Sequence, residues 1–102
     1  MSLKYIIAFI REDKLHHIID SLRELKVDGV STAYVKGYGE YINTFSLDPL
    51  VESVKIEIIL PSERVNEVVE LIINEAYTGV EGDGVIAVSA IENFYRIRDK
   101  QA

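Results

Sequence analysis

Two stretches of the chain place apolar residues at helical spacing, and strand-like segments lie before and after each of them. The apolar positions recur at i, i+3, i+4 and i+7 between Leu15 and Leu25 and again between Val65 and Ala76. This recurrence predicts two helices, each with one buried face. Because helices and strands alternate, the chain is limited to folds in which helices pack on a sheet.

Four segments rich in β-branched and aromatic residues predict the strands. Leu3–Ile10 and Val30–Lys36 flank the first helix, and Val54–Leu60 and Val85–Ala90 flank the second. The order β-α-β-β-α-β predicts an α+β, ferredoxin-like fold, in which an antiparallel sheet carries two helices. Both helices should lie on one face of the sheet, because crossover connections are right-handed.

Several local signals predict where the elements begin and end. Asp13 and Ser62 are suitable N-caps for the two helices, and Gly29 can close the first helix in a left-handed conformation. The segment from residue 40 to residue 53 has no sustained period and predicts a loop. Glu92–Arg98 is predicted to be an extended tail that includes a short strand.

The chain of 102 residues is expected to form one domain over residues 1–102. The predicted sheet has no cover on its second face, yet several strands keep apolar residues on both faces, among them Ile6, Ile7, Ile58, Ile59, Val85 and Ile86. A bare apolar sheet face favours association, so we expect this face to pack against other copies of the chain.

Composition and charge exclude several classes of function. The formal net charge of −6 argues against binding nucleic acid or an anionic membrane. The absence of cysteine excludes thiolate catalysis and Cys-based metal sites. We expect a cytoplasmic protein, because no apolar run is long enough to span a bilayer. Adjacent helical residues such as His16 and His17 cannot share a metal, so no metal site is predicted. No nucleophile or paired acid stands out, and we expect no enzymatic activity.

A glycine-rich segment, Thr-Gly-Val-Glu-Gly-Asp-Gly at residues 78–84, connects the second helix to the last strand. Glycine lets backbone N–H groups approach an anion closely, and Arg96 and Arg98 add the forked donors that suit phosphate. The spacing matches neither a Walker loop nor a Rossmann fingerprint. Taken alone, the segment is more often an ordinary helix-to-strand loop, and such an arginine pair is more often a solvated sheet edge than a phosphate clamp.

Together these segments resemble the PII signal-transduction family across essentially the whole chain. The resemblance is carried by the glycine-rich segment, by Arg-Ile-Arg at residues 96–98, by Val-Lys-Gly-Tyr-Gly at residues 35–39 and by Val-Lys-Ile-Glu at residues 54–57. It implies a ferredoxin-like homotrimer with adenine nucleotide in clefts between subunits. It also implies a T-loop, about residues 40–53, that contacts a target transporter or metabolic enzyme.

The resemblance assigns a role to each matching position. Backbone at the base of the T-loop and in the B-loop, about residues 79–84, would approach the phosphates. The hydroxyl of Ser31 and the aliphatic side chain of Ile59 would line the adenine pocket. The arginine pair of the tail, residues 91–102, would reach the phosphates from the next subunit. The nucleotide-binding candidates are Ser31, Gly37, Gly39, Ile59, Gly82, Asp83, Gly84, Arg96 and Arg98, and the T-loop candidates for partner contact are Tyr41, Phe45 and Leu47.

Three cationic phosphate contacts of the family are missing from this chain. The family has lysine where this chain has Ser53 and Val85, and arginine where it has Glu40. Each charge-assisted contact is worth about 1.5–3 kcal/mol, so we expect ADP or AMP to be favoured over Mg-ATP. Tyr41 replaces the glutamine that serves a metal ion and 2-oxoglutarate, so we do not expect 2-oxoglutarate sensing of the usual kind. The T-loop is also about seven residues shorter.

One alternative shares the fold. Trimeric metal-binding or scaffold proteins of the copper-tolerance type are also ferredoxin-like, and such a protein would not sense nucleotide. The glycine-rich segment together with Arg96 and Arg98 argues against this alternative, and metal-binding residues are sparse.

Overall fold

A computed structural model of the chain describes residues 2–38 and 50–100. Within these residues the strands form a four-stranded sheet of order β2-β3-β1-β4, and each neighbouring pair is antiparallel. This confirms the predicted α+β fold. The elements in chain order are β1 (Leu3–Ile10), α1 (Leu15–Glu24), β2 (Val30–Gly37), β3 (Val51–Pro61), α2 (Val65–Ala76) and β4 (Gly84–Ala90).

The core lies between the two helices and one face of the sheet. Alternate residues of the central strands are fully buried, as Ile6 and Ile58 illustrate, and these two residues are partners in the β1–β3 register. They meet Ile18 of α1 and Ile72 of α2, whose side chains are also fully buried. Each such side chain contributes about 1.5–3 kcal/mol on burial. Both helices therefore pack on the same face, as the crossover argument predicted.

The helices are short and lie side by side. Ser21 of α1 donates a hydrogen bond of 3.0 Å to the carboxylate of Glu75 on α2. The same carboxylate lies 3.3 Å from the imidazole of the exposed His17. Among residues 2–38 and 50–100, no helix is long and apolar enough to cross a membrane.

The predicted N-caps are wrong in detail. A short 3₁₀ turn precedes each helix, and Asp13 and Ser62 lie within these turns at Glu12–Lys14 and Ser62–Arg64. Neither α1 nor α2 receives a side-chain hydrogen bond at its N-cap. The Ser62 hydroxyl instead accepts a hydrogen bond of 2.8 Å from Ser2. The turns satisfy the first amide groups locally, so the helices do not require a capping side chain.

The prediction that Gly29 closes α1 is also wrong, because Lys26 does so. Lys26 has φ of +63°. Its amide donates to the carbonyl of Arg23, and the amide of Val27 donates to that of Leu22, each at 3.0 Å. This pair of bonds is the Schellman motif that ends many helices. Gly29 also has positive φ, but it leads into β2.

Strand β3 begins at Val51, three residues before the predicted Val54. In the register Gly37 is opposite Val51, so residues 51–53, which we assigned to the T-loop, belong to the strand. Residues 39–49 lie outside the described part of the chain. The predicted strand in the tail is absent from residues 91–100, where Ile97–Asp99 forms a 3₁₀ turn.

The second face of the sheet carries the residues that alternate with the core. Tyr5, Ile7 and Phe9 of β1 are half-buried there, and Ile59 of β3 is 44% exposed. Both helices pack on the other face, so no helix of the described residues covers this one. We call it the open face.

Candidate functional site

The B-loop connects α2 to β4 and is pressed against the end of β1. Gly84 pairs with Ile10 and has φ of +116°. A Cβ atom at Gly84 would lie 1.8 Å from the carbonyl oxygen of Phe9. That separation is far inside van der Waals contact, so only glycine fits where the loop joins the sheet.

The carboxylate of Asp83 anchors the beginning of the B-loop. Oδ2 accepts hydrogen bonds from the amides of Thr78 at 2.8 Å and Gly79 at 2.9 Å, and Oδ1 accepts one from the Thr78 hydroxyl. The Thr78 hydroxyl oxygen in turn accepts from the amide of Val80 at 3.1 Å. Side chains of the loop itself therefore hold its beginning in place by hydrogen bonds.

The same bonds change the acidity of Asp83. Desolvation by burial acts to raise the pKa of this carboxyl, but the hydrogen bonds from Thr78, Gly79 and Arg11 outweigh it and lower the pKa to about 2. Asp83 is therefore ionised at neutral pH, and the loop contains a negative charge that the surrounding donors neutralise.

Arg11 is a residue of the site that sequence reasoning missed. Its Nε donates to Oδ1 of Asp83 at 3.2 Å, and its Nη2 donates to the carbonyl of Glu81 at 2.8 Å. The partners are 72 and 70 residues apart in sequence, so no local pattern joins them. The signal that could have found Arg11 is the register, because Ile10 is paired with Gly84 at the end of the sheet.

The amides of the B-loop divide into two groups. Those of Thr78, Gly79 and Val80 donate to side chains within the loop. Within the described residues, those of Glu81 and Gly82 take part in no hydrogen bond. Two neighbouring free amides in a glycine-rich turn are suitable donors for an anion.

Gly82 also lines a polar cleft of about 250 Å³. The charged residues around the cleft are mostly acidic, and its single arginine already pairs with Asp83. Lys36 lies near the mouth, 3.9 Å from the carboxylate of Glu52. The cleft therefore offers few uncompensated positive charges to a ligand with several phosphates. Its lining residues are Ile10, Arg11, Glu12, Asp13, Glu52, Ser53 and Gly82.

Gly37 lies at this end of the sheet, but Ser31 and Ile59 do not. Gly37 is the last paired residue of β2, one pair beyond Lys36 and Glu52. Ser31 and Ile59 lie on the open face, six residues from Gly37 along β2 and eight residues from its partner Val51 along β3, so each is roughly 20 Å or more away. The predicted phosphate and adenine positions therefore form two separate groups within one chain.

The second group surrounds a polar pair on the open face. Ser31 is opposite Glu57 in the register, and the Tyr5 hydroxyl donates a hydrogen bond to the Glu57 carboxylate. This hydrogen bond raises the pKa of Tyr5 and lowers that of Glu57. Lys55 lies 3.6 Å from the same carboxylate. Ile59, which is opposite Tyr5, supplies an apolar neighbour.

The predicted arginine pair lies in the exposed tail. Arg96 stacks over the ring of Phe94 at 5.3 Å, and Arg98 belongs to the turn Ile97–Asp99. Neither arginine forms an ion pair with the described residues. Ile97 between them is 96% exposed. The fold therefore does not bring the arginines to the B-loop of their own chain.

Four predicted residues, Gly39, Tyr41, Phe45 and Leu47, lie outside the described part of the chain. Among residues 2–38 and 50–100, no group of three or more His, Asp or Glu side chains is arranged to hold a metal ion. The adjacent His16 and His17 are both exposed on α1. The predicted site residues within the described part of the chain therefore lie in three places: the B-loop end of the sheet, the group around Glu57 on the open face, and the tail.

Comparison with known proteins gives one consistent result. The family model described as nitrogen regulatory protein P-II matches residues 3–101. A nitrogen regulatory protein P-II of Cyanidium caldarium is 37% identical over 98 residues, which cover 89% of this chain and 87% of the relative. One from Rhodobacter capsulatus is 36% identical, with 94% and 92% covered, and a nitrogen regulatory protein P-II 2 of Methanothermobacter thermautotrophicus is 34% identical, with 94% and 90% covered. The chain therefore belongs to the nitrogen regulatory protein P-II family.

Proposed function

We propose that this chain is a regulatory protein that binds adenine nucleotide, with ADP or AMP favoured over Mg-ATP. The nucleotide occupies clefts between the subunits of a homotrimer, and its binding sets the T-loop conformation that a transporter or metabolic enzyme recognises. The mechanism is a population shift, because a ligand with different affinity for two loop states changes their ratio. The names of the relatives support a regulatory role.

The single observation that carries the proposal is the preformed B-loop. Its glycines, its Asp83 anchor and its free amides at Glu81 and Gly82 form a suitable cradle for a phosphate group. A cradle that is organised before binding loses little conformational entropy when the ligand arrives, which favours affinity.

The separation of the candidates supports a site shared by subunits. Ile59 is opposite Tyr5, five residues along β1 from the Ile10 that pairs with Gly84, so in one chain it lies roughly 16 Å or more from the B-loop. The arginines of the tail form no ion pair with the described residues. A nucleotide that used the B-loop, the open-face group and the arginine pair together would need contributions from two chains.

The charge of the cleft supports a ligand with few phosphates. Glu12, Asp13 and Glu52 line it, and Arg11 is already paired with Asp83. Each added phosphate brings negative charge towards these carboxylates, so affinity should fall from AMP or ADP to ATP.

The test is isothermal titration with AMP, ADP, ATP and cyclic AMP, each with and without Mg²⁺. The variant Arg96→Ala, Arg98→Ala should lose the binding that the wild-type protein has. Arg23→Ala is the matched control, because Arg23 is also an exposed arginine, with 78% of its side chain accessible, and it lies on α1 away from the site.

Two results would contradict the proposal. If no adenine nucleotide binds at millimolar concentration, the B-loop is not a nucleotide site. If ATP with Mg²⁺ binds more tightly than ADP and AMP, the acidic cleft does not set the preference.

A further inference from the structure

Arg11 joins the B-loop to the sheet from another part of the chain. The other donors to the Asp83 carboxylate belong to Thr78 and Gly79, at the beginning of the same connection. Within the described residues, Arg11 is the donor to this carboxylate that comes from a different element, the end of β1. About a fifth of each side chain is exposed, 19% for Arg11 and 22% for Asp83. The pair is therefore partly shielded from solvent and charge-assisted.

The second bond of Arg11 acts on the peptide that joins Glu81 to Gly82. The Glu81 carbonyl, which accepts from Nη2 at 2.8 Å, and the Gly82 amide belong to one planar trans peptide. In such a peptide the C=O and N–H bonds point in opposite directions. A guanidinium that holds the carbonyl therefore also fixes the direction of the amide. This restraint matters because Gly82, with φ of +96°, is intrinsically free to rotate.

We infer that Arg11 is a positioning residue for ligand binding: it holds the free amide of Gly82 in the orientation that a phosphate oxygen requires. Arg11 acts through Asp83 and the Glu81 carbonyl, which already occupy its Nε and Nη2 donors. The inference rests on the proposed nucleotide function, and it adds a residue whose side chain need not touch the nucleotide.

The first test replaces Arg11 with lysine, which keeps the charge but cannot reproduce the two-pronged geometry. Arg64→Lys is the matched control: the Arg64 guanidinium also donates to two main-chain carbonyls, of Lys26 at 2.9 Å and Leu25 at 2.6 Å, and pairs with Glu67 at 2.7 Å. Arg11→Lys should weaken AMP and ADP binding about tenfold or more. Arg64→Lys should change it by less than about twofold.

Amide hydrogen exchange supplies a readout that does not depend on the ligand. The hydrogen-bonded amides of Thr78, Gly79 and Val80 should exchange faster in Arg11→Lys than in the wild-type protein, while exchange in α1 and α2 stays the same. Arg64→Lys should leave exchange in the B-loop unchanged. Nucleotide affinity and loop exchange that both match the wild type in Arg11→Lys would overturn the inference.

A double-mutant cycle with Asp83→Ala separates positioning from direct contact. If Arg11 acts through the anchored loop, Arg11→Lys should add less than about twofold to the loss of affinity in the Asp83→Ala background. If the two losses multiply in full, Arg11 does not act through the loop that Asp83 anchors, and the inference is wrong.

The failure of the proposed function is distinguishable from the failure of this inference. If the wild-type protein binds no adenine nucleotide, the proposed function fails and the exchange experiment decides alone. Faster exchange of the amides of Thr78, Gly79 and Val80 in Arg11→Lys would then still support Arg11 as the residue that holds the loop, and unchanged exchange would overturn it.

Discussion

The ionised carboxylate of Asp83 contributes to the free energy of unfolding. Its pKa falls from an ordinary 3.8 to about 2 in the folded chain, because Thr78, Gly79 and Arg11 donate to the carboxylate. A depressed pKa means that the stabilisation is fully present above the unfolded value and is lost as pH falls through the folded value.

Asp83→Asn should therefore lower the free energy of unfolding at pH 7 by roughly 1 kcal/mol, after allowance for solvent screening. The difference between the two proteins should shrink as pH falls below about 4 and vanish near the folded pKa of about 2. Urea unfolding at several pH values measures this. A difference that stays constant from neutral to acid pH would contradict the prediction.

Gly84 and Gly29 form a second comparison at the residue scale. Both have positive φ, but a Cβ at Gly84 would meet the Phe9 carbonyl at 1.8 Å, whereas a Cβ at Gly29 would meet nothing within 4 Å. Gly84→Ala should cost more than about 2 kcal/mol, and Gly29→Ala about 1 kcal/mol, the backbone strain alone. Thermal unfolding of the two variants measures the difference. Equal losses of stability in the two variants would show that the chain relieves the contact between the new Cβ and the Phe9 carbonyl without a free-energy cost.

At the scale of an element, α1 ends on a lysine in a conformation that favours glycine. Lys26 has φ of +63° and completes the Schellman motif after Leu25. Lys26→Gly should stabilise the protein by about 0.5–1 kcal/mol, because glycine adopts this conformation without steric strain.

Glu24→Gly is the matched control for that prediction, because Glu24 is the last residue of α1 and carries ordinary helical geometry. It should destabilise the protein by about 1 kcal/mol. Chemical denaturation of both variants checks the pair. If Lys26→Gly instead destabilises the protein, the lysine side chain contributes more to stability than its strained backbone conformation costs, and the prediction is wrong.

The elements whose periodicity is strong were predictable, and those fixed by distant contacts were not. The stripes of α1 and α2 and the alternation of β1 follow from local spacing, so their existence and order were predicted correctly. The early start of β3 at Val51 follows from pairing with Gly37, and the turn at residues 97–99 breaks an expected strand. Neither is visible in a short window of sequence.

The same distinction applies to the candidate site. Asp83 was predictable as an anchor because its partners, Thr78 and Gly79, are close in sequence. Arg11 was not, because only the register of β1 with β4 brings it there. Ser31 and Ile59 are distant from the B-loop in one chain, and the shared site that we propose for them would depend on contacts between chains, which no pattern within one chain specifies.

At the scale of the whole molecule, the open face is the surface that we expect to pack against other copies of the chain. It carries Ile59, which is 44% exposed, while Ile73 on α2 is 50% exposed on the opposite side of the molecule. If three chains pack through their open faces, a charge at Ile59 should be buried without a partner, whereas a charge at Ile73 should remain in water.

Ile59→Glu should therefore reduce the mass in solution from that of three chains to that of one, and Ile73→Glu should leave it unchanged. Light scattering coupled to size-exclusion chromatography measures the mass, and circular dichroism checks that both variants fold. A monomeric wild-type protein, or an unchanged mass for Ile59→Glu, would exclude the open face as the interface.

The attachment of the B-loop to β1 also determines whether the loop could be moved to another protein. Its amino acids alone do not encode its shape, since Arg11, roughly 70 residues earlier, holds it in place, and the nearby Phe9 carbonyl leaves room only for glycine at residue 84. A graft of residues 78–84 onto another helix–strand connection would carry the Asp83 turn but leave the peptide after Glu81 unrestrained. The transferable unit is the loop together with the end of the neighbouring strand.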